Sequence, residues 1–181
     1  MKIIDNRNSI QNAARVLKKG GILIFPTDTV YGIGCLLTEK AIRRLYKIKN
    51  RPLSQPTAIL ISNKNIPKIC SSTNKGDDFI SGQITLILSV AMLGFNIPKI
   101  ILKNGKIGVR IPNHPWLQRL IDLAGPIVTS SANKKGEPAP SKFEEISNEI
   151  LKDADLAVKT DEKLPGIPSR VYDLELKKYL R

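Results

Sequence analysis

Apolar residues recur along this chain with two different periods, and the alternation between them predicts its elements. Ile10, Ala13, Ala14 and Leu17 fall at i, i+3, i+4 and i+7, one face of a helix that Asn8 or Ser9 can cap and Gly20 can end. The run at 21–25 is short, rich in Ile and Phe, and stopped by Pro26, which reads as a buried strand. Thr38 opens a second helix with Ile42, Leu45, Tyr46 and Ile48 on its apolar side. Strands are predicted at 57–61, 84–90, 99–102 and 107–111. Pro115 suits the first turn of a helix running to Leu123, with Asn113 or His114 as cap and Gly125 as stop. A strand at 126–129 leads into a polar loop. Ser141 and Glu144 read as a capping box for a helix carrying Ile146, Ile150 and Leu151. Short strands near Leu156 and at 170–174 complete the pattern. No repeat, low-complexity tract or long linker interrupts it. The expectation is an α/β fold, one domain over 1–181 around a mixed sheet.

Composition adds two constraints. No segment approaches the roughly 20 consecutive apolar residues of a membrane span, and the N-terminus has no apolar core before a cleavage site. A cytoplasmic protein is therefore expected. Cys35 and Cys70, with His114 as the single histidine, lack the pattern of a structural zinc site, so no protein-held metal is expected. Their spacing leaves a disulfide open, but reduced thiols fit the expected compartment.

The charge balance is strongly basic, 29 Lys+Arg against 16 Asp+Glu. Such a field attracts nucleotides and RNA. The abundance of Lys, Ile and Asn is equally what an AT-rich coding sequence produces, so the excess reads either as function or as composition.

Several familiar sites are excluded. There is no G-x-x-x-x-G-K-[ST], no H-E-x-x-H and no G-x-S-x-G, and Gly32-Ile33-Gly34 has Leu37 where a dinucleotide fingerprint needs its last glycine. What remains is polar residues at predicted strand ends, where α/β sheets bind ligands. The loop at 26–34 carries Thr27, Asp28, Thr29 and Tyr31 beside glycines that permit tight turns. Lys49 and Arg51 follow the second helix and suit phosphate oxygens. The loop at 129–136 offers Thr129, Ser130, Ser131 and Asn133, and Ser169 precedes the last predicted strand. Each loop alone reads equally well as an ordinary turn or helix end. Arg110 is harder to dismiss: an arginine flanked by apolar strand residues needs a partner or a ligand. Together these loops predict a polar, cationic crevice for an anionic ligand.

The order of the four loops resembles the YrdC/TsaC family of threonylcarbamoyl-AMP synthases, which carry PTxTxYGLG, KxRP, SxN and SxxxD stretches. Here these read Pro26 to Gly34, Lys49 to Pro52, Ser131 to Asn133, and Ser169 to Asp173. The resemblance implies a single YrdC-like domain with a twisted mixed sheet, flanking helices and a deep, positively charged cavity. It implies formation of L-threonylcarbamoyl-AMP and pyrophosphate from L-threonine, bicarbonate and ATP with Mg²⁺. Partner proteins then use the adenylate to modify the adenosine beside the anticodon of tRNAs reading ANN codons. Lys49 and Arg51 would be the catalytic pair and bind the nucleotide, with Ser131, Asn133 and Arg181. Thr29, Tyr31, Arg110, Thr129 and Ser169 would hold threonine or its carbamate.

There are departures. The family's PGPxT stretch appears as Ser81-Gly82-Gln83-Ile84-Thr85, Ile33 replaces a leucine, Lys134-Lys135-Gly136 replaces LxG, and Ala139 stands where a serine is sometimes found. Two rival readings fit the residues less well. Carbamoyl-adenylate formation, as in HypF proteins, belongs to chains with zinc-finger and acylphosphatase regions that this one lacks. A plain RNA-binding module fits the charge, but aromatics are only 5% and no RNP-like stretch occurs; weak RNA binding beside catalysis fits either origin of the charge.

Overall fold

The computed structural model describes residues 2–5, 9–65 and 82–180. Asn8, Cys70, Ser81 and Arg181 lie outside the described residues. In chain order the elements are β1 (Lys2–Asp5), α1 (Ile10–Lys18), β2 (Leu23–Phe25), β3 (Gly32–Leu36), α2 (Glu39–Ile48), β4 (Ala58–Leu60), β5 (Ile84–Ser89), β6 (Lys106–Arg110), α3 (Pro115–Ala124), β7 (Ile127–Ser131), α4 (Asn148–Asp153), β8 (Leu156–Lys159), β9 (Arg170–Asp173) and β10 (Lys178–Tyr179). The strands form one mixed sheet in the order β1-β8-β2-β3-β7-β4-β6-β5-β9-β10. The α/β expectation with flanking helices is met.

The sheet separates two apolar clusters, and strand alternation feeds both. Ile24, Ile33, Ile59, Val109 and Val128 point to the side that α2 covers with Ile42, Leu45 and Tyr46. Leu23, Phe25, Leu60, Ile127 and Val158 point to the side covered by α1 and α3, through Ala13, Leu17, Leu117 and Leu120. Each fully buried Leu or Ile contributes about 1.5–3 kcal/mol, so both helical faces are held mainly by burial. The helix ends follow their residues. Gly20 takes φ +79° after α1. The His114 Nδ1 accepts from the Leu117 N–H at 3.3 Å to cap α3, and Gly125 (φ 101°) ends it.

Four expectations are corrected. The segment at 99–102 is a single 3₁₀ turn over Lys99–Ile101, not a strand. A short apolar run satisfies either state, and here only Ile101 is fully buried. Gly32 to Gly34 belong to β3, not to a turn. A Cβ on Gly34 would lie 2.5 Å from the Val128 carbonyl oxygen, so the glycine permits close strand approach. The capping partner of Ser141 is Glu145, whose carboxylate accepts from the Ser141 and Lys142 N–H groups at 2.7 and 3.1 Å; Glu144 instead pairs with Lys159. The helix itself starts only at Asn148, capped by Ser147. Finally, edge strands β1 and β10 lack an apolar pattern and were not anticipated.

Candidate functional site

The side of the sheet that α1 and α3 cover is left open farther along, and a cavity of about 430 Å³ occupies the gap. Its floor is sheet: Gly32, Ala58, Gly108 and Thr129. Ala58 pairs with both Gly108 and Thr129 on neighbouring strands. Small residues at these paired positions keep the pleated surface low. A Cβ on Gly108 would come within 3.1 Å of the Thr85 Cγ2 and 3.2 Å of the Ala58 Cβ. The walls carry hydroxyls (Thr27, Thr29, Thr57, Thr85, Ser131 and Ser169) and two guanidinium groups, Arg51 and Arg110.

One cluster forms where α2 ends. Lys49 is the C-cap residue of α2, and Asn50 takes φ 48° to turn the chain toward Arg51. The buried Lys49 ammonium donates to the carbonyls of Ser131 and Asn133, the second at 2.5 Å. Burial, then repulsion from Arg51, pull its pKa down from 10.5 to about 8. Arg51 donates to the Ser130 Oγ at 3.2 Å and to the Pro56 carbonyl, and its guanidinium lies 5.6 Å from the Tyr46 ring centroid. Burial lowers its pKa. The Arg51 Nε is buried with no protein partner. The Asn133 amide donates to the Glu137 carbonyl at 2.6 Å, leaving its Oδ1 unpartnered. This cluster presents cationic and hydroxyl donors, the chemistry that phosphate oxygens need.

A second cluster surrounds Arg110 at the end of β6. Its Nη1 donates to the Thr29 hydroxyl at 2.9 Å, its Nη2 to the Asp28 carboxylate at 2.6 Å and its Nε to the Gly82 carbonyl at 3.1 Å. Thr29 in turn lies 2.9 Å from the Thr27 hydroxyl. The Thr85 and Ser169 hydroxyls meet at 2.8 Å across the β5–β9 junction. Such a set suits a carboxylate or carbamate.

The structure thus brings Thr29, Arg51, Arg110, Thr129, Ser131 and Ser169 to one cavity. Lys49 and Asn133 stand beside it, holding the loop after β7. Tyr31 is placed differently. Its ring is 1% exposed in the α2-side core, and its hydroxyl accepts from the Thr160 N–H at 3.1 Å, so it is not a cavity residue. Its backbone does serve the site, since the Tyr31 carbonyl accepts from Ala132 N–H and its own N–H donates to Pro140. Thr27 belongs to the 26–34 loop already singled out, whereas Thr57 and Thr85 join the lining without having been expected there. Lone threonines at strand ends carry no signal until neighbouring strands bring them together. Lys134 turns away and pairs with Glu149.

Comparison with known proteins gives the same picture. The Sua5/YciO/YrdC family model, described as telomere recombination, matches residues 15–181. A Methanocaldococcus jannaschii protein, provisionally assigned as a threonylcarbamoyl-AMP synthase, is 34% identical over 180 residues, covering 94% of this chain and 84% of that one. The Pyrococcus abyssi threonylcarbamoyl-AMP synthase is 31% identical over 176 residues, covering 91% of this chain. This chain spans only 50% of the Pyrococcus protein's length. The crystal structure of P. abyssi Sua5 complexed with L-threonine superposes with a TM-score of 0.80 at 28% identity, over 97% of this chain and 55% of that one. The family model covers nearly all of the chain, and with it every cavity residue named above: this protein belongs to the Sua5/YciO/YrdC family.

Proposed function

We propose that this protein is a threonylcarbamoyl-AMP synthase, forming L-threonylcarbamoyl-AMP and pyrophosphate from L-threonine, bicarbonate and ATP. The observation that carries this reading is the presence of both polar clusters in one cavity, with Arg51 among hydroxyls in one and Arg110 on Thr29 in the other. Threonine's amine and bicarbonate give a carbamate and water. A carbamate oxygen then attacks the α-phosphate, and pyrophosphate leaves. The reaction needs no covalent enzyme intermediate, and so no nucleophile–base pair.

The protein's task is to hold two mutually repelling anions in line. Arg51, Ser131 and the loop anchored by Lys49 take the phosphates. Lys49 spends two of its three N–H donors on carbonyls, leaving one for a phosphate oxygen. Thr29, Arg110, Thr129 and Ser169 take the threonine carboxylate or carbamate. Fixed donors of this kind each lower the barrier by about 3 kcal/mol, and bringing the reactants together supplies several more. In this reading Mg²⁺ enters bound to ATP, as MgATP.

Residues 1–181 act as one unit in this reading. No helix among the described residues is long and apolar enough to cross a membrane, and a cytoplasmic place beside the tRNA-modifying proteins that consume the adenylate fits. Those partners place the group on the adenosine next to the anticodon in tRNAs reading ANN codons. The test is incubation with ATP, Mg²⁺, bicarbonate and L-threonine, followed by mass spectrometry. Pyrophosphate and threonylcarbamoyl-AMP, dependent on both threonine and bicarbonate, are expected. No product from folded protein would sink the reading and leave a basic α/β binding protein, to be titrated with RNA against salt.

A further inference from the structure

Tyr46, on α2, is buried and does not line the cavity, yet it holds Arg51 in three ways. Its backbone carbonyl accepts from the Arg51 N–H at 2.9 Å. Its ring centroid lies 5.6 Å from the Arg51 Cζ, within the range where an aromatic face attracts a cation. Its hydroxyl donates to the Gln55 carbonyl at 2.8 Å, and the next residue, Pro56, supplies the carbonyl that accepts from the Arg51 Nη2. Burial raises the phenol's pKa although Arg51 pulls it down, so the hydroxyl keeps its hydrogen to give. The Gln55 N–H donates to the Pro52 carbonyl at 3.0 Å, which closes the 51–56 segment into a tight ring against α2.

This clamp decides where the guanidinium points. Among the described residues Arg51 spends two of its five N–H donors, on Ser130 and Pro56, and the buried Nε–H is one of those left over. Arg51 lines the cavity, so the remaining donors serve an anionic ligand there only while the guanidinium plane stays fixed. The Pro56 carbonyl holds one edge of that plane and the Tyr46 ring stands against it. Without the Tyr46 side chain the guanidinium loses its aromatic neighbour and the Gln55–Pro56 segment loses its tether, while the charge and reach of Arg51 are unchanged. Ordering a long, flexible arginine would then oppose ligand binding, whereas here it is done in advance.

We infer that Tyr46 is a positioning residue that fixes the Arg51 guanidinium for the phosphates of ATP, through its ring and through its hold on the Gln55 carbonyl. The inference rests on the proposed role of Arg51 in ATP binding. The test is calorimetric titration of Tyr46→Leu with MgATP, beside steady-state kinetics. The Kd and KM for ATP should rise by about fivefold or more, while the KM for L-threonine stays within about twofold. In an Arg51→Ala background the same substitution should change the ATP Kd by less than about twofold, because its effect runs through Arg51. A purely structural role would lower the Tm and leave the ATP Kd of folded Tyr46→Leu unchanged, and that result overturns the inference. A loss of the full size that persists in the Arg51→Ala background overturns it as well. If Tyr46→Leu does not fold, Tyr46→Phe keeps the ring and drops only the bond to Gln55. ATP binding about threefold weaker is then expected, and unaltered binding overturns the inference equally. A wild-type protein that binds ATP and makes no adenylate removes the synthase reading alone, whereas one that binds no ATP removes both.

Discussion

Lys49 grips Asn133 by its main chain: the ammonium lies 2.5 Å from the Asn133 carbonyl oxygen and also bonds that of Ser131. A helix end and a strand end far apart in sequence are thereby joined beside the cavity. In the proposed synthase, this contact sets the position of the loop before any nucleotide arrives.

The contact predicts a pH dependence. Burial and Arg51 hold the Lys49 pKa at about 8, below the ordinary 10.5. Between these values the unfolded chain binds more protons than the folded one, so this group makes stability rise with pH across that window; below about 8 its full burial cost is present. Urea titrations should therefore show wild type gaining on Lys49→Met between the two ends of the window. Catalysis should run the other way, with the ATP KM of wild type rising above about pH 8 as the cation is lost. A Lys49→Met variant as active as wild type, or with the same rising limb, would contradict the role.

Arg51 is predicted not to tolerate lysine. Its planar fork reaches Ser130 and Pro56 while the guanidinium lies close to Tyr46, and an ammonium reproduces neither the fork nor the planar surface. Arg51→Lys and Arg51→Ala should each cut adenylate formation by about tenfold or more with circular dichroism unchanged. Full activity in the lysine variant would show that charge alone suffices.

Ser169→Ala should raise the threonine KM and leave the ATP KM in place. The substitution also strands the Thr85 hydroxyl, its partner at 2.8 Å, so a modest loss of thermal stability is expected. An unchanged threonine KM removes Ser169 from the amino-acid end.

The cavity floor offers a steric test. Gly108→Val would place branched carbon against Thr85 and Ala58, which already lie 3.1 and 3.2 Å from a Cβ at that position. The remaining bulk stands in the cavity. Calorimetric titration should show weaker binding of ATP or threonine in a protein that still folds; unaltered binding of both would mean that the floor is not used.

The sequence by itself determined the helices, most strands and the four polar loops. Amphipathic spacing in Ile10 to Leu17, the cap and stop around Pro115, and the apolar runs are local features, and local physics sets them. It also placed Arg110 correctly as a strand arginine in need of a partner. What only the tertiary structure decided are relations between distant strands. Gly32 and Gly34 looked like turn glycines because nothing local reveals the neighbouring strand whose carbonyl excludes a Cβ. Tyr31 sat in a functional motif, yet strand alternation turned its ring toward the α2-side core, so its side chain serves the fold and its backbone serves the loop. Asp28 read as one more turn residue until Arg110, 82 positions later in the chain, was found against it. Sheet order brings such pairs together, and that order is set by long-range burial that no short stretch of sequence encodes.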